Sequence, residues 1–385
     1  MFRFLTAGES HGSRLTAVIE GLPAGLGLDV AAVNRDLARR QLGYGRGGRM
    51  RIEQDEVEIL SGLRFGRTLG SPLTLSIANR DWANWQDRMA PAGEKCGQPV
   101  TAPRPGHADL AGVQKYGAGD IRDILERASA RETATRVAVG AVAKQLLAAA
   151  GISVAAHVVA IGGAGAATRR RFTCREIVGL TAESALMCAD RENEPKMKAA
   201  IDSARERGDT LGGLFEVVAD GLMPGLGSHV QWDRRLDAAL AAALMSIPAI
   251  KGVEVGEGFA CAALPGSSAH DEVFYSPEQG YYRRTNRAGG LEGGMANGEE
   301  IVVRAAMKPI PTLMAPLASV DIASKAATRA NTERSDVCAV TAAAVVGEAM
   351  VAIVLAGALL EKFGGDCLDD LLAAVAHYRR RLAEN

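Results

Sequence analysis

The feature that most constrains the fold is an apolar stretch near the carboxyl terminus, residues 337–360. The stretch is long enough to cross a membrane, but Glu348 lies in its middle, and alanine and glycine dilute its hydrophobicity. We therefore interpret it as a buried core helix. Hydrophobic residues make up 48% of the chain and aromatic residues only 4%, so alanine, valine and leucine must fill the core through closely packed helices.

The charge and the cysteines of the chain argue against several classes of protein. The formal net charge is −1, whereas a protein that binds nucleic acid or an anionic membrane needs a basic excess. The six cysteines are scattered without metal-binding spacing, so we interpret them as reduced thiols. Arg3, Glu9 and His11 all lie within the first residues of the chain, which argues against a signal peptide there. These features predict a cytoplasmic protein that binds neither nucleic acid nor a membrane.

Periodicity and turn residues predict a chain that mixes strands and helices. The predicted strands are 3–6, 15–20, 51–60, 73–78, 152–161, 214–220 and 301–306, and the predicted helices are 29–40, 123–150, a charged stretch near 175–207, 234–246 and 337–363. Residues 86–119 are rich in proline and glycine and predict a long functional loop. The sequence VIEGLPAGLG at 18–27 is similar to VADGLMPGLG at 218–227, which hints at a duplicated β-α unit.

The motif GESHG at 8–12 is the first candidate for catalysis. Its glycines permit a tight turn that leaves the His11 ring open to a ligand. Histidine exchanges protons near neutral pH, so an accessible one can act as a general acid or base. A histidine in a glycine turn is more often an ordinary surface residue, so the functional interpretation depends on the residues around it.

Arginine dominates the basic residues, since only nine of the 44 are lysines. Biased codon usage explains abundance, but clustering on glycine loops favours the binding of a small polyanion. Arg127 and Arg131 are four residues apart and are predicted to share a helix face, where salt bridges to Glu126 or Glu132 are the alternative. The clusters are Arg39, Arg40, Arg46, Arg49 and Arg51 around one glycine loop, Arg104 beside His107, and Arg127, Arg131 and Arg136 on one helix.

Two further segments have chemistry-bearing residues. Ser335 or Asp336 stands directly before the long apolar helix, and N-capping is the favoured interpretation of either residue. The segment KPIPT at 308–312 predicts a stiff loop whose lysine and threonine can reach an anion. The sequence has no dinucleotide-binding, Walker or zinc-protease motif.

Taken in order, these segments resemble the chorismate synthase family over nearly the whole chain. The matching motifs are RFLTAGESHG at 3–12, RRQ at 39–41, GYGRGGRM at 43–50, RPGHAD at 104–109, ERASARET at 126–133, MSIPAIKG at 245–252, GLEGG at 290–294, KPIPT at 308–312 and RSDVCAV at 334–340. Ordered matches of this extent are far more specific than any one motif.

The resemblance implies a carbon–oxygen lyase acting on a phosphate. It would convert 5-enolpyruvylshikimate 3-phosphate to chorismate by anti-1,4-elimination, the last step of the shikimate pathway to the aromatic amino acids. The family requires reduced FMN, although the reaction involves no net oxidation, and some members reduce their flavin with NADPH. The implied fold is α+β, a single β-α-β-α sandwich domain over residues 1–385 with an internal pseudo-repeat of β-α units, assembled as a homotetramer.

The resemblance also assigns roles to residues by position. His11 would be a general acid near the departing phosphate, His107 would protonate reduced flavin, and Asp336 would help the flavin accept the substrate proton. The residues that would hold the anionic groups of the substrate or NADP are Arg40, Arg46, Arg49, Arg104 and Arg131. The implied FMN contacts are Arg127, Ala128, Ser129, Pro248, Ala249, Gly293, Lys308, Pro309, Ile310, Pro311, Thr312 and Arg334.

Some features depart from the family pattern or leave alternatives open. Thr341, Gly347 and Ser268 replace the usual proline, alanine and glutamine, which puts local packing in doubt but not the activity. The segment 86–103 is long, and we predict that it forms part of a mobile lid. The alternatives are an NAD(P)H-dependent flavin oxidoreductase acting on a phosphorylated acid, and a non-catalytic anion-binding or assembly protein. The sequence leaves open whether NADPH or an external donor reduces the flavin.

Overall fold

The structure is a computed structural model that describes residues 2–47, 53–165, 170–333 and 335–384. The chain mixes α-helices with antiparallel sheets, which makes the fold α+β. The strands are β1 Arg3–Ala7, β2 Arg14–Glu20, β3 Val57–Ser61, β4 Leu63–Arg64, β5 Arg67–Thr68, β6 Leu73–Ala78, β7 Ser153–Ile161, β8 Ala164–Gly165, β9 Gly213–Asp220, β10 Ile250–Val255, β11 Val273–Ser276, β12 Gly280–Arg283, β13 Leu291–Glu292, β14 Met295–Ala296, β15 Ile301–Met307, β16 Ala318–Val320 and β17 Ala327–Arg329. The helices are α1 Val30–Gln41, α2 Asp109–Tyr116, α3 Arg122–Ala128, α4 Thr133–Ala149, α5 Cys174–Thr181, α6 Glu194–Glu206, α7 Leu236–Met245, α8 Gly266–Ala269, α9 Val340–Phe363 and α10 Leu368–Ala383.

Two antiparallel sheets form the framework. The first has the strand order β1-β2-β6-β3 and the second has the order β10-β15-β9-β7-β8. Alternation along β2 explains why one face of the first sheet is buried, because Leu15, Ala17 and Ile19 have no solvent exposure while Val18 and Glu20 are exposed. The remaining pairs of strands are short hairpins.

The helices α4 and α9 pack against each other and connect the two sheets. Helix α4 contacts β1, β2 and β6 of the first sheet, while α9 contacts β7 and β9 of the second. The two helices come very close at Gly140, where an added Cβ would lie 2.3 Å from the Cβ of Ala349. Gly347, one of the departures from the family pattern, similarly makes room for the ring of Phe215. Close packing of small residues in the core is therefore confirmed.

Helix α9 is long and apolar enough to cross a membrane, but 83% of its most apolar window is buried inside the protein. Glu348 in its middle is 2% exposed. Its carboxylate accepts two hydrogen bonds from Arg39, an ion pair from Lys144 and a bond from the backbone of Ala156. The charge is buried because it is fully paired, and the interpretation of this stretch as a core helix is confirmed.

Several predicted boundaries are wrong. The helix predicted at 123–150 is interrupted at Ser129, whose backbone is extended, so Arg127 and Arg131 do not share a helix face. The long loop at 86–119 contains the helix α2. Helix α9 begins after Ala339 without a side-chain cap, so neither Ser335 nor Asp336 caps it. The chain also continues beyond α9 into α10, which packs on α9.

Candidate active site

A cavity of about 470 Å³ opens where several elements end. The loops that meet there follow β1, α1, α3, α7 and β15 or precede α2, and the first turns of α9 also line the cavity. The lining residues that carry the chemistry are His11, Arg40, Arg46, Arg104, His107, Arg131, Lys308 and Asp336. Most of these charged groups come from loops, and the sheets and helices behind them hold the loops in place.

His11 lies in the turn between β1 and β2 and is 8% exposed. The turn requires Gly8, whose φ is 110° and where a Cβ would meet the backbone of Arg14 and Leu15. The His11 Nδ1 lies 2.9 and 3.0 Å from the two carboxylate oxygens of Glu126. Its ring stacks on Trp85 at a centroid distance of 3.9 Å. His11 is therefore held along one edge and on one face, and it lines the cavity.

His107 has a similar environment on the loop before α2. Its Nδ1 lies 2.5 Å from Oδ1 of Asp109, and Nη2 of Arg104 lies 3.1 Å from the same nitrogen. Arg104 donates from its backbone nitrogen, Nε and Nη2 to Asp109, which has no solvent exposure. Burial alone would raise the pKa of Asp109, but the bonds from His107 and Arg104 hold it well below its ordinary value.

Arg40, at the end of α1, is 4% exposed and lines the cavity. Its Nε donates to Thr133, but Nη1 has no hydrogen-bond partner among the described residues and lies 3.6 Å from Asp55. The pKa of Arg40 is lowered to about 10, chiefly by burial and also by the nearby charge of Arg131, while Asp55 opposes both effects. A buried guanidinium with an unused donor favours an anionic ligand.

The other two arginines on this side of the cavity already have acidic partners. Arg131 donates from Nη1 to Asp55 at 2.6 Å and from Nε to Asn79 at 2.9 Å. Arg46 lies 3.3 Å from Oδ2 of Asp336. Asp336 also accepts a hydrogen bond from the backbone of Gly47 at 2.6 Å, so its carboxylate fixes the glycine loop after α1.

Much of the remaining lining is apolar. These residues, which we call the apolar wall, are Ile247, Pro248, Ala249, Met307, Ile310, Pro311, Ala342, Ala343 and Val346. Ala249 has φ of 70°, which is unusual for a residue with a Cβ, and its carbonyl accepts a hydrogen bond from Lys308. Thr312 accepts from Arg104 at 3.1 Å, which ties the segment 308–312 to the loop of His107.

Comparison with known proteins shows which family the chain belongs to. The sequence model of the family described as chorismate synthase matches residues 2–360. The chorismate synthase of Geobacter sulfurreducens is 60% identical over 380 residues, covering 96% of both chains, and that of Moorella thermoacetica is 60% identical over 387 residues, covering 100% of both. The chain belongs to the chorismate synthase family. A solved structure titled "Crystal Structure of Chorismate Synthase" is 44% identical and superimposes with a TM-score of 0.81, covering 100% of this chain and 99% of the other.

Membership of the chorismate synthase family makes the chain a lyase of the last step of the shikimate pathway, in aromatic amino acid biosynthesis. The structure brings most of the residues that the resemblance singled out to one cavity. Those that line it are His11, Arg40, Arg46, Arg104, His107, Ala128, Ser129, Arg131, Pro248, Ala249, Lys308, Ile310, Pro311, Thr312 and Asp336.

Three residues predicted from the chorismate synthase motifs do not line the cavity. Arg127 instead donates to the carbonyl oxygens of Thr6 and Gly8, behind the His11 turn. Pro309 lies in the segment 308–312 without being part of the lining. Gly293 lies in the β13–β14 hairpin, beside the start of α7. Arg49 and Arg334 lie outside the described residues.

Sequence reasoning did not assign the two carboxylates that hold the histidines. The sequence predicts Glu126 only as a partner for arginines, and Asp109 only as part of a motif. Glu126 is 115 residues away from His11 along the chain, so no local pattern predicts their contact. The two-residue separation of His107 and Asp109 was visible, because neighbouring loop residues often share hydrogen bonds.

Proposed function

We propose that the chain converts 5-enolpyruvylshikimate 3-phosphate to chorismate and phosphate with reduced FMN as cofactor. The observation that carries the proposal is a single cavity lined by two carboxylate-bound histidines, four arginines, a lysine and an apolar wall. The substrate has one phosphate and two carboxylates, so a cavity that binds it must supply several cations. A volume of about 470 Å³ is in the range of small-molecule sites.

Arg40 is the strongest candidate for direct contact with a substrate anion, since its Nη1 is buried without a hydrogen-bond partner among the described residues. Arg46 lies across the same space, linked to Asp336. Arg104 and Arg131 have more of their donors engaged by Asp109, Asp55 and Asn79, so they would act with their remaining donors. Arg49 and NADP binding remain predictions from the resemblance.

The apolar wall, together with Ala128 and Ser129, would hold the flat ring system of FMN. Ala128, Ser129, Pro248 and Ala249 present small side chains, and the segment 308–312 is fixed by bonds from Thr210 to Ile310 and from Arg104 to Thr312. Lys308 lines the cavity, and its ammonium donates to the carbonyl of Gly106, so its remaining N–H groups would bind a phosphate. When bound, reduced FMN supplies electron density to the substrate as the phosphate departs.

The chain's own groups would manage the protons and the leaving anion. His11 would give a proton to the departing phosphate, and the arginines would stabilise its negative charge. His107 would hold or donate a proton at the flavin, and Asp336 would assist removal of the substrate proton. We assign these three roles from the resemblance and from the position of each side chain at the cavity.

A homotetramer accounts for Gly293. The helix α7 begins beside the hairpin that contains Gly293 and ends next to Ile247 in the cavity wall. A helix of 10 residues is about 15 Å long, so Gly293 lies far from the FMN wall of its own chain. We propose that it approaches FMN bound to a neighbouring protomer. Analytical ultracentrifugation gives the oligomeric state, and titration with FMN gives the affinity. A protein that is monomeric and still binds FMN with full affinity would contradict this assignment.

The finer architecture is also a proposal. One main hydrophobic cluster contains residues of both sheets and of the helices between them, and α5 packs on the outer face of the second sheet, which supports a single domain with a β-α-β-α sandwich. The related segments 18–27 and 218–227 follow β2 and β9. Their first glycines, Gly21 and Gly221, have φ of 87° and 76°, which supports the pseudo-repeat.

We propose that residues 86–103 form a lid over the site. Residues 90–99 are exposed throughout, whereas Trp85 stacks on His11 and Val100 bonds to Asp120 on either side of them. Limited proteolysis in this segment should slow when FMN and substrate are both present. Equal cleavage rates would show that the segment does not close.

We also propose a cytoplasmic location, which the six free cysteines support.

An anaerobic assay with purified protein, reduced FMN and 5-enolpyruvylshikimate 3-phosphate tests the reaction. We expect chorismate and phosphate in equal amounts, with no consumption of reductant per turnover. Stoichiometric oxidation of the flavin would instead indicate an oxidoreductase. Adding NADPH and oxidised FMN to the same protein shows whether the chain reduces its own cofactor. Absence of both products would overturn the proposal.

A further inference from the structure

Glu126 contacts the His11 turn at three points, one on Ser10 and two on His11. Its backbone carbonyl accepts a hydrogen bond from Ser10 at 3.0 Å, and its Oε2 accepts one from the backbone nitrogen of His11 at 2.8 Å. The carboxylate also receives the His11 ring at Nδ1. The Glu126 side chain is only 3% exposed. One residue of α3 therefore fixes both the backbone and the ring of the proposed acid.

We propose that Glu126 is a positioning residue for His11, which holds the ring in the Nδ1–H form and leaves Nε2 for the substrate. The proposal rests on the proposed function, in which His11 protonates the departing phosphate. The carboxylate acts through His11 and has no direct contact with the reacting atoms. It determines which nitrogen can exchange a proton in the cavity.

The residues around Glu126 keep its carboxylate ionised, which it must be to accept a hydrogen bond from Nδ1 of His11. Arg122 donates to Oε1 at 2.8 Å from one turn earlier in α3, and its guanidinium also lies 5.0 Å from the Trp85 ring and 3.3 Å from Glu333. Burial alone would raise the pKa of Glu126, but the bonds from His11 and Arg122 lower it below its ordinary value. Glu126 is thus an ionised acceptor that hydrogen bonds hold beside the ring.

The proton balance depends on that acceptor. In the acid step the Nε2–H bond of the imidazolium breaks, its electron pair stays on Nε2, and the proton goes to a phosphate oxygen as the carbon–oxygen bond breaks. The neutral ring that remains must keep its other proton on Nδ1, where Glu126 accepts it. A partner that donates to Nδ1 would favour the Nε2–H form, which has no second proton and cannot act as an acid.

Glu126→Gln separates positioning from a purely structural clamp. The amide keeps the shape of the side chain and can still accept from the backbone of His11 through its oxygen. Its NH₂ group would then take the place of Oε1, the closer of the two oxygens to Nδ1 at 2.9 Å, and favour the Nε2–H form. A purely structural role predicts that this variant keeps the tautomer of His11. A positioning role predicts that the tautomer changes while the turn stays folded.

The experiment combines steady-state kinetics with ¹⁵N NMR of the His11 ring in the full-length protein. We expect Glu126→Gln to lower kcat about 100-fold, the size of a typical general-acid contribution, with KM changed less than threefold. The protonated nitrogen of the His11 ring, identified by its ¹⁵N chemical shift, should change from Nδ1 to Nε2. Glu126→Asp, which keeps the charge with a shorter reach, should retain the Nδ1–H form and lose about tenfold in kcat, and it serves as the variant if the glutamine protein does not fold.

Glu9→Gln is the matched control, because it removes a carboxylate two residues from His11 that does not line the cavity. Its kinetics and its His11 resonances should equal those of the parent protein. An unchanged Nδ1–H signal in Glu126→Gln, or a kcat within threefold of the parent, would overturn the proposal. His11→Ala tests the proposed function separately: if it keeps full kcat, the acid role of His11 fails, while the tautomer measurement still decides the role of Glu126.

Discussion

The two histidines of the cavity are held in similar ways by different parts of the chain. His11 bonds to Glu126, which bonds to Arg122, and His107 bonds to Asp109, which bonds to Arg104. In the first group the histidine and its carboxylate are 115 residues apart, and in the second they are two residues apart. The first group joins two distant segments, whereas the second is contained in one loop and the start of α2.

The two carboxylates also differ in the groups from which they accept hydrogen bonds. Asp109 accepts from the backbone, Nε and Nη2 of Arg104 in addition to His107, and it lies in the first turn of α2, where the helix dipole favours a negative charge. Glu126 divides its carboxylate between His11 and a single arginine donor. The comparison predicts that Asp109 contributes more to stability, and that Glu126 contributes more to the orientation of its histidine.

The largest expected effect is a loss of stability in Asp109→Asn. Removing the charge leaves the buried Arg104 guanidinium without an ionic partner, which typically costs about 3 kcal/mol of unfolding free energy. Urea denaturation measures the change. Asp123→Asn is the control, since Asp123 is half-exposed and its partner Lys95 lies 3.7 Å away, so it should cost less than about 1 kcal/mol. Equal losses in the two variants would contradict the structural role of Asp109.

Next, the histidines themselves should differ in which kinetic constant they change. His11→Ala should lower kcat about 100-fold with the Kd for FMN unchanged, because it removes a proton donor. His107→Ala removes a partner of Arg104, which bonds to Thr312 in the proposed FMN wall, so FMN binding should weaken about tenfold. Anaerobic titration with reduced FMN and steady-state assays give both constants. The reverse pattern would exchange the two roles.

Acid should distinguish the two carboxylates further. Both have a pKa held below the ordinary values of 3.8 for Asp109 and 4.5 for Glu126. Because the folded protein binds these protons more weakly than the unfolded chain, the stabilisation is complete above about pH 5 and is lost as the pH falls below about 4. Chemical denaturation at a series of pH values should show that the free energy of unfolding depends less on pH in Asp109→Asn than in Glu126→Gln. A slope unchanged from the parent in both variants would refute the argument.

Much of the fold could be predicted from the sequence, because alternation and helical periodicity are local. The strands β2, β6, β7 and β15 lie within two residues of their predicted bounds. The break at Ser129 could not be predicted, since its neighbours are good helix formers. Tertiary bonds stabilise the break: Ser10 donates to the carbonyl of Glu126, and Arg40 donates to that of Ala130. Helix α10 did have a local signal, with Leu371 and Val375 buried four residues apart.

The site divides in the same way. The histidines and the arginines could be found from motifs, since their residue types indicate proton transfer and anion binding. Their partners could not, because Asp55 and Glu126 meet Arg131 and His11 only after the sheets and helices have packed. The same limit applies to Asp336, whose place before a helix predicts a cap but whose carboxylate binds Arg46 and Gly47 instead.

The smallest expected effect concerns the aromatic ring that stacks on His11. Among the described residues, His107 has no such contact. Trp85 stacks on His11 with an interplanar angle of 24°, and Arg122 lies over the same indole. Such ring contacts contribute about 1 kcal/mol, so Trp85→Leu should lower kcat about fivefold by loosening His11. Trp85→Phe keeps an aromatic face and should lose less than twofold, and Trp82→Leu is the control on the same turn. If leucine and phenylalanine behave alike at position 85, stacking does not hold the ring, and Glu126 alone must account for its orientation.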